Sequence, residues 1–286
     1  MSLNLFRASE SEVKHRVRAK YYITPDGELK LAQVQYMSKP VFTREGFEKI
    51  QRYEKAVVVA EAVEAETHEG ESKDVIDLLE EDKHAANQLR AMRRARTVAF
   101  DRIMCNHDLD MFVTFTFSGE MVEDRTSWED VYERFRQWLT NRVQRKGLKY
   151  VVCAERHKKD GIHFHAIMNS SALQLQRAIN PHTGKPIKLR GKQVYNLVDW
   201  KGFTTAVKIG KKPEDREKVS KYIFKYMRKA GLDGKIGGRY LLKGGDLKSP
   251  IYFYGDDPTE YLEGETCMYE TEGEYEGIVY RSWGFI

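Results

Sequence analysis

The middle of the chain alternates between apolar and polar positions with the period of β-strands. In MFVTFTF, residues 111–117, even-numbered positions point to one side of a strand and odd-numbered positions to the other. LKYVVCAE and GIHFHAIM, residues 148–155 and 161–168, are two further strand patterns, and the polar RHKKD between them predicts a hairpin. FTTAVKIG, residues 203–210, predicts another strand.

Helical periodicity predicts the elements around these strands. AMRRARTVAFDRIM, inside 87–107, has the pattern of a basic amphipathic helix. SWEDVYERFRQWLTNRVQRKG aligns Trp128, Phe135 and Leu139 on one helical face and ends in a basic turn before Gly147.

Two more helices and the resulting element order predict the fold class. SSALQLQRAI predicts a short helix that starts at Ser170 or Ser171, whose hydroxyl can cap the first turn. EDREKVSKYIFKYMRKAG predicts a basic helix that ends at Gly231. The order β-α-β-β-α-β plus a helix predicts an α+β fold of the ferredoxin type, with helices on one face of an antiparallel sheet. The other face would be open for a site.

Changes in composition predict four segments. Residues 1–59 would form a small N-terminal module, in which RAKYYITPDGELKLAQVQY has two strand patterns around a turn. Residues 60–83 are rich in acids and predict a linker or an exposed helix. Residues 84–255 would be the main domain. In 256–286 tyrosines alternate with acids, so this segment either folds back onto the main domain or is disordered.

Composition and charge narrow the class of protein. Cys105, Cys153 and Cys267 are scattered and predict neither a disulfide framework nor a CxxC metal site. No apolar run approaches the roughly 18 residues of a membrane span, so we expect a soluble, cytoplasmic protein. Residues 84–250 hold 34 Lys and Arg against 17 Asp and Glu. A bias of this size favours a polyanionic partner, although a solvated basic surface is the alternative.

Two histidines lie two residues apart in GIHFHAIM. Because side chains alternate in a strand, His163 and His165 should project from the same face, about 7 Å apart. Imidazoles at this spacing can share a divalent cation, and Glu155 on the partner strand could be a third ligand. Two surface histidines without a ligand are the alternative.

A pair of tyrosines follows in the last basic helix. Tyr222 and Tyr226 lie one turn apart and share a face, with Lys225 near the same side. Tyrosines that pack partly into a core would give the same pattern. A tyrosine nucleophile, a cation site and lysines in a basic domain are also the parts of a DNA-nicking reaction.

The combination resembles the His-hydrophobe-His endonucleases, and among them the two-tyrosine rolling-circle replication initiators of plasmids and bacteriophages. FVTFTF resembles the first motif of that family, GIHFHAIM the metal-binding second motif and VSKYIFKY the catalytic third motif, in the same order. RRARTVAFDRIMCNHDLDMFVTFTF and GGRYLLKGGDLKSP resemble the segments before and after. The likeness covers roughly residues 85–255.

The resemblance implies a role for each matching residue. His163 and His165, with Glu155 as third ligand, would bind Mg²⁺ or Mn²⁺. Tyr222 would be the first nucleophile and Tyr226 the second, and Lys225 would neutralise the scissile phosphate. Basic side chains would grip DNA, and the candidates are Arg156, Lys158, Lys159, Lys188, Arg190, Lys192, Lys221, Lys229 and Arg239.

The implied activity is metal-assisted nicking of single-stranded or hairpin origin DNA in a bacterial host. Attack would leave a 5′-phosphotyrosine and a 3′-OH primer for the host polymerase, and later rejoining would release a circle. The sequence contains no GxxxxGK[ST] motif, so no nucleotide cofactor is expected and a host helicase would unwind the duplex. A two-tyrosine transposase and a DNA-binding protein without catalysis are the alternatives. A relaxase is disfavoured, because its tyrosine precedes three histidines.

Overall fold

The chain forms two compact units. One takes its residues from 1–84 and 250–286, and the other from 85–249. The predicted boundaries of the four segments stay predictions. The computed structural model describes residues 17–37, 72–157, 161–232, 239–275 and 278–285.

Strands dominate both units. The strands are β1 (Val17–Ile23), β2 (Leu29–Met37), β3 (Met111–Thr116), β4 (Tyr150–His157), β5 (Gly161–Met168), β6 (Leu175–Arg177), β7 (Lys188–Leu189), β8 (Lys192–Leu197), β9 (Phe203–Lys208), β10 (Leu242–Gly244), β11 (Ile251–Gly255), β12 (Tyr269–Tyr275) and β13 (Ile278–Gly284). The described helices are α1 (Ser72–Cys105), α2 (Trp128–Lys146), α3 (Pro213–Leu232) and α4 (Thr259–Leu262).

The first unit is built on an antiparallel sheet with the order β11-β1-β2-β13-β12. Its N-terminal hairpin turns at the predicted Pro-Asp-Gly segment, where Gly27 has a φ of 94°. Val17, Val34 and Phe285 are buried in its core. The acidic C-terminal segment thus supplies strands to the same sheet as the N-terminal segment. Residues 60–71 of the acidic stretch lie outside the described residues, and α1 begins at Ser72.

The second unit contains an eight-stranded sheet with the order β10-β4-β5-β3-β9-β8-β6, with β7 paired to β8. Its four central strands, β4-β5-β3-β9, are all antiparallel. In chain order this is second-third-first-last, which is the strand order of a ferredoxin-like sheet. The predicted α+β class is therefore confirmed.

Helix α2 covers one face of this sheet. The Ser127 side chain caps its start by accepting a hydrogen bond from the Asp130 amide, and Gly147 ends it in the left-handed conformation, as predicted. Phe135 is fully buried, and its ring stacks on Phe164 of β5 with centroids 4.2 Å apart. Burial of one such side chain stabilises the fold by about 1.5–3 kcal/mol.

The opposite face is partly covered as well, which corrects the expectation that helices occupy one face. Ile223 and Met227 of α3 are fully buried there, together with Ile103 near the end of α1. The physical reason lies in β4 and β5, whose odd-numbered positions also carry apolar side chains, such as Val151 and Ile167. A strand with two apolar faces needs cover on both sides.

The helix predicted for SSALQLQRAI is wrong. Only a short 3₁₀ turn forms, at Ser170–Ala172, and the chain then runs extended through β6. Asp110 accepts hydrogen bonds from the Ser170 amide and hydroxyl, both at 2.7 Å, and so holds the turn. Leu173 and Leu175, two residues apart, both pack on the core, which requires the period of a strand.

Candidate active site

The two histidines occupy adjacent rows across the central sheet. His163 of β5 pairs with Glu155 of β4 on one side and with Thr116 of β3 on the other. His165 lies in the next row of the same face, between Cys153 and Thr114. Alternation along the strand therefore places both imidazoles on the face that α3 partly covers.

His165 is held at both ring nitrogens. Its Nε2 lies 2.8 Å from a Glu155 carboxylate oxygen, and its Nδ1 lies 3.2 Å from the Thr114 hydroxyl. His165 and Glu155 are each 5% exposed. Because both partners are fixed in a sheet, the orientation of the ring is set before any ligand arrives.

These side chains fit a divalent cation in chemistry rather than in present arrangement. Imidazole nitrogens and a carboxylate are donors that such ions accept. Among the residues that the structure describes, however, no three His, Cys, Asp or Glu side chains already surround one point. The Nε2 atom that could bind a cation is engaged with Glu155. Cation binding by His163, His165 and Glu155 would therefore require that hydrogen bond to open.

The two tyrosines of α3 differ sharply in exposure. Tyr222 is 44% exposed, whereas Tyr226 is 8% exposed. The Tyr226 hydroxyl donates a hydrogen bond of 2.6 Å to the Tyr222 hydroxyl. Burial, and then this hydrogen bond, raise the pKa of Tyr226 above its ordinary value. Of the pair, Tyr222 presents the accessible oxygen and Tyr226 the supporting donor.

Aromatic contacts join the tyrosines to the histidine. The ring of Tyr226 stacks on His165 with centroids 3.6 Å apart and planes within 12°. Phe112 of β3 contacts both Tyr222, edge to face at 5.2 Å, and His165, at 6.2 Å. A nucleophile and a cation ligand are thus separated by a single buried ring.

Helix α3 is anchored below the tyrosines by a buried arginine. The Arg216 guanidinium donates to the carbonyl oxygens of Ile103, Asn106 and His107, where α1 ends. Carbonyls at the C-terminus of a helix lack partners within the helix and carry partial negative charge, so a cation suits them. Arg216 is 4% exposed, and burial lowers its pKa.

The lysines of α3 lie beside the tyrosines. Lys225 is exposed, in the turn between Tyr222 and Tyr226. Lys221 is also exposed and forms an ion pair of 2.5 Å with Glu217. The side chain of Lys229 lies outside the described part of the chain.

The remaining predicted DNA contacts are spread over the unit. Lys188, Arg190 and Lys192 are all exposed on the hairpin of β7 and β8. Arg156 donates to the Thr126 carbonyl at 3.2 Å, near the start of α2. Arg239 lies over the Tyr132 ring of α2, which packs on the other face, so it does not join the tyrosines. Lys158 and Lys159 lie outside the described residues.

Sequence reasoning missed two residues of the site, Phe112 and Thr114. Alternation in MFVTFTF puts them on one side of their strand, but it does not say which strand lies alongside. The pairing of β3 with β5 brings Thr114 to His165 and Phe112 to the tyrosines. A polar and aromatic face on an otherwise apolar strand was the available signal.

Comparison with known proteins bears on this region. The family model of replication-associated protein ORF2 matches residues 110–231, somewhat less than half of the chain. The match runs from the start of β3 almost to the end of α3 and contains both histidines and both tyrosines. No curated protein and no solved structure matches the chain. In the described residues, no helix is long and apolar enough to cross a membrane. In its central part the chain is similar to replication-associated proteins of the ORF2 family, a match that supports a family of rolling-circle replication initiators.

Proposed function

We propose that the protein initiates rolling-circle replication by nicking single-stranded origin DNA through a tyrosine. One observation carries the proposal: the tyrosine pair of α3 is stacked on His165, which is itself bonded to Glu155. A nucleophile and cation-binding side chains thus lie in one place, inside the segment similar to replication-associated proteins.

Tyr222 is the proposed nucleophile of the first cleavage. Its hydroxyl is accessible, and it already accepts a hydrogen bond from Tyr226. Such a bond strengthens as negative charge develops on the attacking oxygen, and so favours the transition state over the resting state. Tyr226 is buried beneath it and would attack second, once the Tyr222 ring has moved aside.

The proposed step is a transesterification. The phenolic oxygen of Tyr222 bonds to phosphorus while the bond from phosphorus to the 3′ oxygen breaks. The phenol gives up its proton, and the departing 3′ oxygen takes one up. The product is a 5′-phosphotyrosine and a free 3′-OH, so the energy of the phosphodiester is kept for rejoining.

Charge on the phosphate must be neutralised during this step. Lys225 is exposed in the same turn of the helix and can approach a non-bridging oxygen. His163, His165 and Glu155 would hold Mg²⁺ or Mn²⁺, which when bound would spread the charge of the transition state.

The test uses single-stranded oligonucleotides of random sequence with a fluorophore at the 3′ end. The full-length protein with Mn²⁺ should yield a labelled adduct that survives SDS, because the 3′ fragment stays on the tyrosine. The released 5′ fragment should be extended by a DNA polymerase. Wild-type protein without any adduct, or an unchanged adduct in the Tyr222→Phe/Tyr226→Phe double variant, would sink the proposal.

One observation favours a second candidate, a DNA-binding protein without catalysis. Glu155 and His165 satisfy each other in the structure, as they would in a purely structural pair. The same assay decides between the two, since such a protein would bind the oligonucleotides and leave them uncut.

A further inference from the structure

We propose that Phe203 is a stacking platform for one base of the single-stranded DNA, next to the candidate active site. Phe203 is 76% exposed at the start of β9, whereas Phe115, Phe135 and Phe164 of the same sheet and α2 are fully buried. One exposed aromatic ring is not unusual by itself. Its position relative to the histidines carries the argument, which rests on the proposed function.

Phe203 lies in the same row of the sheet as the candidate cation ligands. Phe203 pairs with Thr116, Thr116 pairs with His163, and His163 pairs with Glu155. Directly paired side chains point to the same face, and neighbouring strands lie about 4.8 Å apart. Phe203 is therefore about 10 Å from His163, two strands away on the face of the tyrosines.

This part of the face is open. Helix α3 packs over β4 and β5, where Cys153 and Ile167 are buried. On β9 the same face presents Phe203 and Thr205, both exposed, while Thr204 and Ala206 point to the buried side. The uncovered surface thus begins where the helix ends, and a strand bound at the tyrosines can continue across it.

The backbone that presents Phe203 is held firmly. The indole of Trp200 donates to the Thr116 carbonyl at 3.1 Å, and Gly202 packs so closely that a Cβ there would lie 2.1 Å from the same oxygen. A ring on a fixed strand loses little conformational entropy when a ligand stacks on it.

Charge identifies the occupant as nucleic acid. Lys201 and Lys208, at the two ends of β9, are both exposed. Lys192 lies beside them, with its ammonium group 3.3 Å from the Lys208 carbonyl oxygen. Aromatic rings between cations bind single strands, because bases stack on the rings while the cations follow the phosphates.

The experiment measures binding of a fluorescent single-stranded oligonucleotide by anisotropy. Alanine in place of a stacking residue weakens binding by an amount that corresponds to about 5- to 150-fold. Phe203→Ala should therefore raise Kd by such a factor, and Phe203→Leu should do so too, because leucine keeps the apolar surface but has no π-face. Phe203→Tyr should restore affinity. Phe203→Trp should bind as well, with tryptophan fluorescence quenched by the DNA.

Val198→Ala is the matched control, since Val198 is 62% exposed in the loop before β9. It should leave Kd unchanged, and all variants should keep the wild-type Tm. Wild-type affinity in Phe203→Ala or Phe203→Leu overturns the inference, as does a wild-type protein that does not bind the oligonucleotide. A change in oligomeric state without a change in Kd would overturn it too and identify a contact between copies instead. The adduct assay separates the two proposals, because cleavage by wild-type protein does not depend on these outcomes.

Discussion

The asymmetry of the tyrosine pair leads to a quantitative prediction about two matched variants. Tyr226→Phe removes only the hydroxyl that donates the 2.6 Å hydrogen bond, and it retains the ring that stacks on His165. A hydrogen bond to a charged group contributes about 1.5–3 kcal/mol. Since about 1.36 kcal/mol corresponds to a tenfold change in rate, the first cleavage should slow about 10- to 150-fold. Tyr222→Phe should abolish it.

Single-turnover adduct formation measures both rates, and peptide mass mapping identifies the tyrosine that carries the DNA. The adduct of the Tyr226→Phe variant should lie on Tyr222, and its oligonucleotide Kd should equal that of wild type. Tyr132→Phe, on the helix of the opposite face, is the control and should cleave normally. An adduct on Tyr226 at the wild-type rate in the Tyr222→Phe variant would refute the assignment. So would an unaltered first rate in Tyr226→Phe.

Three further predictions concern the cation ligands, the thiols and the hairpin. Mn²⁺ should raise the Tm of wild-type protein and have less effect on Glu155→Gln, and equal shifts in both would exclude Glu155 as a ligand. Burial raises the pKa of the Cys153 thiol, so iodoacetamide should label the exposed Cys267 and spare Cys153 in the native protein; mass spectrometry of labelled peptides checks this. Gly161→Ala should lower the free energy of unfolding in urea by about 1–3 kcal/mol. Its φ is 83° and a Cβ would lie 2.4 Å from the Arg125 carbonyl oxygen, so an unchanged midpoint would contradict the geometry.

Local pattern was sufficient for the strands and caps but not for their assembly. Alternation in GIHFHAIM places His163 and His165 on one face, and Ser127 and Gly147 mark the ends of α2, because these effects act over a few residues. The misassigned helix after Ser170 shows the limit. There the side chain of Asp110, sixty residues earlier, decides the local conformation.

The arrangement of the site depended on contacts that no local pattern contains. The spacing of Tyr222 and Tyr226 predicts a shared face, but their unequal burial follows from the packing of α3 on β4 and β5. Exposure of Phe203 is likewise a property of the strand order, since the same residue type is buried at Phe164. Strand neighbours and helix placement are tertiary facts, so they emerge only with the fold.

The buried contact of Arg216 with the end of α1 has a consequence for the reversibility of strand exchange. A covalent intermediate that must be resealed needs its two DNA ends to meet the same geometry twice, before and after the circle has been copied. Tyr222 lies six residues from Arg216, about 9 Å along the helix axis, so it is tethered to the end of α1 by less than two turns. A nucleophile mounted so close to a fixed point returns to the same place after each excursion. The buried arginine therefore bears on the accuracy of joining more than on the speed of cutting.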